Sequence, residues 1–502
     1  MRLLVLLFSL LVAAQTARAD SVVELKSGGL SIQVAGRTQA NLIYHIDCLA
    51  RAIGCTVEAY EQLWKGQLGF DEADAQLVKE WASLRRAIEQ SEKRGDPTLP
   101  IKASVPIFGA REDGALNRLR YAEYAAADVG ALAAMWASST PAETAARFSA
   151  IADHFRPRFE GWWKDHENEL TAFIPGLEAA MRKGRAGELL SAAARFYRAD
   201  LGDRRVFVHL YLQPKRKNPN TRAQRIGAHM TVEVVPGERP ADRVDVIVHE
   251  LAHHVFACMP PERKAMLVDA MLRTGTAGVP AWNLFDEVQA TVIGNFLTAR
   301  NVLMPEEFQK IVDRPRSFYA DEMIDLGARA THDLFERAFA KRARMTPSFG
   351  EEFVAALRAG LGARLETPAL HLRSMLLNID VAESPWPAKL RNVVSSSSVW
   401  TMSELGSAEV SERLNRFPGL SAVVFAKPDQ IAQLARAAAA FGVSGDGLTT
   451  ALGTSRGMVF VAQRTAQAYA FVFVAHDDAT MDGLIAAFPS CQLKAGVCVR
   501  FE

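Results

Sequence analysis

The sequence predicts an α+β fold: a mostly helical body with a small sheet ahead of one buried helix, then a small C-terminal α/β domain. Three observations predict it. Residues 41–200 and 281–378 are rich in helix formers with apolar residues at helical spacing. Between them, Val206–Leu212 and His229–Val235 alternate in polarity like strands and lead into an apolar helix over Val244–Phe256. After residue 400, short apolar runs alternate with helical stretches.

In chain order, the N-terminus reads as an export signal. Met1-Arg2 is followed by an apolar run from Leu3 to Ala14, broken only by Ser9, and Ala17-Arg18-Ala19 supplies a small-x-small cleavage pattern before Asp20. The run is too short to span a bilayer, and no later stretch reaches about 18 apolar residues. The expectation is therefore a segment, 1–19, removed after Ala19, with delivery to a periplasm or beyond; the alternative is an uncleaved anchor. Val22–Val34 reads as a hairpin turning at Gly28-Gly29. Residues 20–200 form a helical N-terminal region, in which Trp162-Trp163 reads as core or interface. Residues 201–380 hold the strands and the buried helix, with further helices near 305–313, 318–342, 349–361 and 367–377. Residues 381–400, with Pro385, Pro387 and four serines, read as a linker, and 401–502 as the C-terminal domain.

Net charge is +1, with 23% charged residues, so no basic excess points to nucleic acid. One local basic run stands out: Lys215, Arg216, Lys217, Arg222 and Arg225 with no acidic residue among them. It reads as a solvated hairpin tip, with an anionic polymer as the other reading. Export permits disulfides, and Cys48/Cys55 and Cys491/Cys498 are each seven apart, which suits local pairs and leaves Cys258 alone. Oligomeric state stays open.

The chemistry-bearing stretch is His249-Glu250-Leu251-Ala252-His253. At 3.6 residues per turn, His249 and His253 share one helix face. Both imidazoles can then reach one Zn²⁺ at about 2.0–2.1 Å. Glu250 lies about 100° round the helix, placed to take a proton from a water that the metal acidifies. A solvated face carrying two histidines and a glutamate would look alike at these positions alone. The context opposes that: Val246, Ile247, Val248, Leu251, Ala252, Val255 and Phe256 make the helix apolar nearly all round. Burying unpaired imidazoles and a carboxylate is costly, and a metal removes that cost.

After His253 the chain turns at Cys258-Met259-Pro260-Pro261, and a second apolar helix carries Asp286-Glu287 with Ala290 three residues on. H-E-x-x-H, a loop, then E-x-x-A resembles the gluzincin group of zinc metallopeptidases over roughly residues 205–300. The resemblance implies a zincin-like core. It implies Glu287 as third ligand, with Asp286 as competitor or as a group orienting a ligand. It further implies an oxyanion-stabilising Tyr or His, for which Tyr319 and His332 are candidates. A sheet edge that binds extended substrate is also implied, for which 227–233 is the candidate, a plain structural strand being the alternative. The metzincin extension is absent, since Met259 stands where its third His would be.

The function expected is an exported zinc metallopeptidase acting on peptide or protein substrates: His249, His253 and Glu287 on the metal, Glu250 as general base. Two alternatives stand beside it. One is a non-enzymatic exported binding protein with a vestigial core. The other is a zinc amidase acting on cell-wall material.

Overall fold

Two mixed sheets organise the chain. The computed structural model describes residues 21–27, 30–92, 98–107, 114–202, 205–215, 221–379, 385–394 and 399–502. The export segment 1–19, the Gly28-Gly29 turn, Arg216, Lys217 and the serines 395–398 lie outside these residues. No helix among the described residues is long and apolar enough to cross a membrane.

The first sheet runs β1 (Ser21–Ser27), β2 (Leu30–Gly36), β3 (Arg205–Leu212), β5 (His229–Val234) and β4 (Ala223–Ile226), in that spatial order. β1 and β2 form an antiparallel hairpin, β2, β3 and β5 run parallel, and β4 turns back antiparallel on β5. The edge expected at 227–233 is therefore misplaced. β5 is hydrogen-bonded on both sides, and the edge strand is β4, inside the stretch that reads as a loop. Ala223-Gln224-Arg225-Ile226 is too short and too polar to show a strand period.

Helices α1 (Thr38–Leu49), α2 (Glu72–Ser91), α3 (Ala115–Ala125), α4 (Ala142–Lys183) and α5 (Ala186–Tyr197) build the N-terminal region. Trp162 and Trp163 on α4 are core. Then come α6 (Val244–Ala257), which carries the histidines, α7 (Gly278–Ala290), and α8 (Glu322–Ala340). α7 continues into a π-helical segment, Thr291–Leu297.

The second sheet has the order β11-β9-β10-β8-β6-β7. Its strands are β6 (Ser374–Ile379), β7 (Val399–Ser403), β8 (Ser421–Ala426), β9 (Gly457–Gln463), β10 (Tyr469–Ala475) and β11 (Gly496–Phe501). Here the structure corrects a second expectation. Of 367–377, helical by pattern, only Pro368–His371 is helix, and Ser374 begins β6. An apolar run such as Met375-Leu376-Leu377 is ambiguous between buried helix and buried strand. The C-terminal unit thus starts ahead of residue 380, and the stretch read as a linker contains a helix, α9 (Trp386–Val393). Separate apolar clusters cover the two faces of this sheet, so β8 and β10 are buried along their whole length. That is why both read as unbroken apolar runs. Disulfides join Cys48 to Cys55 and Cys491 to Cys498, and Cys258 is free.

Two buried polar networks hold the N-terminal region: the first joins its helices to one another, and the second fixes it to the first sheet. Arg85 on α2 is paired bidentately with Glu123 on α3 at 2.8 Å through both terminal nitrogens, and its Nε meets Asp47 on α1 at 3.0 Å. Trp81 donates to Asp47 and Trp136 to Glu123, each at 2.7 Å. Glu233, buried on β5, accepts from the Thr56 backbone N and hydroxyl, Tyr60, Gln213 and the Arg222 backbone N at 2.8–3.1 Å. Charge-assisted bonds of this kind hold the buried carboxylate in place.

Removing one member of a buried ion cluster strands the others. Arg85→Ala should lower unfolding free energy by about 3–5 kcal/mol in a urea titration. A change within about 0.5 kcal/mol, the range of an ordinary surface substitution, would contradict the network.

Candidate metal centre

α6 and α7 pack so that three electron-rich atoms converge. His249 Nε2 and His253 Nε2 lie 3.1 Å apart, and Glu287 Oε2 is 3.6 Å from the first and 3.5 Å from the second. A tetrahedral ion with bonds of about 2.0–2.1 Å needs donors about 3.3 Å apart. The triangle matches that requirement. Glu287 Oε2 is buried and has no hydrogen-bond partner among the described residues, which is the unsatisfied state a cation would relieve.

Surrounding residues fix which nitrogen faces inward. His253 Nδ1 lies 2.8 Å from Asp286 Oδ1, an acceptor only, so Nδ1 carries the hydrogen. His249 Nδ1 lies 2.9 Å from Asn295 Oδ1. Asn295 points its oxygen that way because its Nδ2 donates to Asp245 Oδ2 at 3.2 Å. Both Nε2 lone pairs therefore meet at the centre, the arrangement a divalent ion requires. Behind Asp286 stands Gln289, donating to Oδ1 at 3.3 Å and accepting from Tyr197 at 3.1 Å. Burial opposes a charge on His253, but Asp286 and Glu287 outweigh it and hold its pKa well above the ordinary value. Desolvation likewise opposes the Glu287 carboxylate, yet the two histidines hold its pKa well below the usual range. The centre is built to attract positive charge.

Asp286 therefore orients His253, and Glu287 completes the triangle. Glu250, half-buried, follows His249 on α6 and makes no contact with the three converging atoms among the described residues. Of the two oxyanion candidates, Tyr319 is at the centre: its ring stacks on His249 with centroids 5.6 Å apart, and its phenol feels the Glu287 charge. Burial, with Glu287 beside it, raises the Tyr319 pKa and keeps the phenol protonated. His332 is elsewhere, stacked on Phe296 and beside Asp333. The loop bearing Tyr319 is held by Asp321, which caps α8 through Met323 N at 2.8 Å and accepts from Arg373 at 2.6 Å.

Two contributors leave little trace in the sequence. Asn295 is a polar residue within an apolar π-helical stretch, a type of segment frequent at functional sites. Gly294 is the point of closest helix approach: a methyl built there lands on the backbone N and Cα of His249 and 2.6 Å from its Cβ. An isolated glycine inside a helical pattern was the available signal. Ala290, the small residue of the E-x-x-A pattern, is buried as well.

No protein-family model, no curated protein and no solved structure matches the chain, so geometry alone carries the functional reading.

Asn295→Ala should weaken the binding of an added divalent cation by roughly 10–100-fold, as loss of a partner supporting a coordinating histidine does elsewhere. Competition against a chelating dye measures it, and unchanged affinity would contradict the role given to Asn295.

Proposed function

We propose that this chain is an exported zinc metallopeptidase of gluzincin type, with a zincin-like core formed by the first sheet, α6 and α7. The observation that carries the reading is the convergence of His249 Nε2, His253 Nε2 and Glu287 Oε2 with Glu250 left over. Three protein donors leave an open position, as catalytic zinc requires, whereas structural zinc takes four. The export signal read from residues 1–19 supports the location, and the sheet ahead of α6 suits a peptide substrate.

When bound, zinc supplies Lewis acidity, lowering the pKa of a water from 15.7 to about 7 and polarising the scissile carbonyl. The residues do the rest. Asp286 and Asn295 hold the two imidazoles in the ligating tautomer. Glu250 takes the proton as the water oxygen bonds to the carbonyl carbon. The same carboxyl returns it to the amine nitrogen as the C–N bond breaks, so one water is consumed and both fragments leave neutral in count. Tyr319, kept protonated, donates its O–H to the carbonyl oxygen as charge develops there.

The test is zinc content and peptide hydrolysis measured together. The wild-type chain should hold about one zinc, as three donors and an open position imply. Glu287→Ala should lose it. Asp286→Ala should retain a site weakened by roughly 10–100-fold. Glu250→Gln should keep zinc and lose about 10²–10⁴-fold in kcat. Wild-type protein that takes up no zinc after reconstitution overturns the proposal.

A further inference from the structure

We propose that Arg225, on the edge strand β4, selects peptide substrates that carry an acidic side chain. The inference rests on the peptidase reading and names its substrate class.

The first observation is topological. β4 pairs with β5 on one side, and its other side carries no strand among the described residues. Such an edge offers unpaired N–H and C=O groups to a peptide backbone. The second is where the edge lies. Glu250 and His254 stand one turn apart on the same face of α6. His254 meets the backbone of Gly227, which turns β4 into β5 at φ +57°. β4 therefore flanks the helix face that carries the proposed base.

The third observation is the side chain that β4 turns towards that helix. Neighbouring residues on a strand point to opposite faces. Gln224 packs against Gly54 on the N-terminal side, which sends Arg225 towards α6. β4 packs against α6 there, and the Arg225 charge is felt by Cys258 and Lys264. Arg225 is half-buried, yet no carboxylate meets it among the described residues; its hydrogen bond runs to the Gly227 carbonyl, 3.5 Å away. Asp286, the nearby acid, is engaged with His253 at 2.8 Å. The guanidinium is thus an unmatched cation beside the helix that carries the two histidines, with a planar fork suited to a carboxylate.

The test uses peptides identical except for one residue, Glu, Gln or Lys, placed in turn at each position within three of the scissile bond. Wild type should cleave the best Glu peptide about tenfold more efficiently than its Gln counterpart, with the difference in KM. Arg225→Glu should reverse the order in favour of Lys, and Arg225→Lys should keep the wild-type order. Fluorescence anisotropy of the same peptides with Glu250→Gln protein gives a readout independent of turnover and should rank them identically. Zinc content and circular dichroism of each variant show that fold and metal are retained. Hydrolysis with equal efficiency for Glu, Gln and Lys peptides overturns this inference and leaves the peptidase reading intact. Neither binding nor hydrolysis of any peptide by zinc-loaded protein overturns both.

Discussion

Everything at the centre depends on two helix backbones touching. At Gly294 there is no room for a side chain against His249, and this contact sets the depth at which the continuation of α7 meets α6. One residue later Asn295 reaches His249, and two turns earlier Asp286 and Glu287 reach His253 and the shared centre. A π-helical stretch carries one residue more per turn than an α-helix's i→i+4 pattern allows. That extra residue shifts the phase, letting Asn295 and Glu287 face the same neighbour from one continuous helix.

The charges around the centre follow one logic. Each inward-facing imidazole has an outward-facing partner that removes its freedom to rotate or change tautomer. Asp245 holds Asn295, Asn295 holds His249, Tyr197 holds Gln289, Gln289 holds Asp286, and Asp286 holds His253. Preorganisation of this kind means that little reorganisation is needed when a cation arrives. The N-terminal helices join the same scaffold through Glu233, whose partners come from α1, the 56–60 segment and the start of β4.

The helix period and the demands of zinc chemistry made His249, Glu250 and His253 legible, and likeness to a known pattern drew in Glu287. Residues that act through others were not legible in the same way. Asn295 belongs to no motif, and nothing along the chain distinguishes Tyr319 from His332, because the choice depends on which loop returns to the centre. The sheet was partly readable. β3 and β5 are long enough to show their alternation, whereas the four residues of β4 are not. Burial on both faces removed alternation from β6, so its apolar run matched a helix equally well. The paired cysteines were readable because each pair closes a short local loop.

The placement of β6 bears on how the molecule can be divided. Arg373 holds the loop of Tyr319, and the next residue, Ser374, enters the interior of the second sheet between β7 and β8. The two halves are spliced with no spacer between them. A chain cut at residue 380 would carry β6 away with the metal-centre half. It would detach β7 and leave β8, apolar on both faces, as a naked edge open to intermolecular pairing. The halves are thus not interchangeable modules: a truncation that respects the fold must fall before Ser374, beside the arginine that steadies the centre.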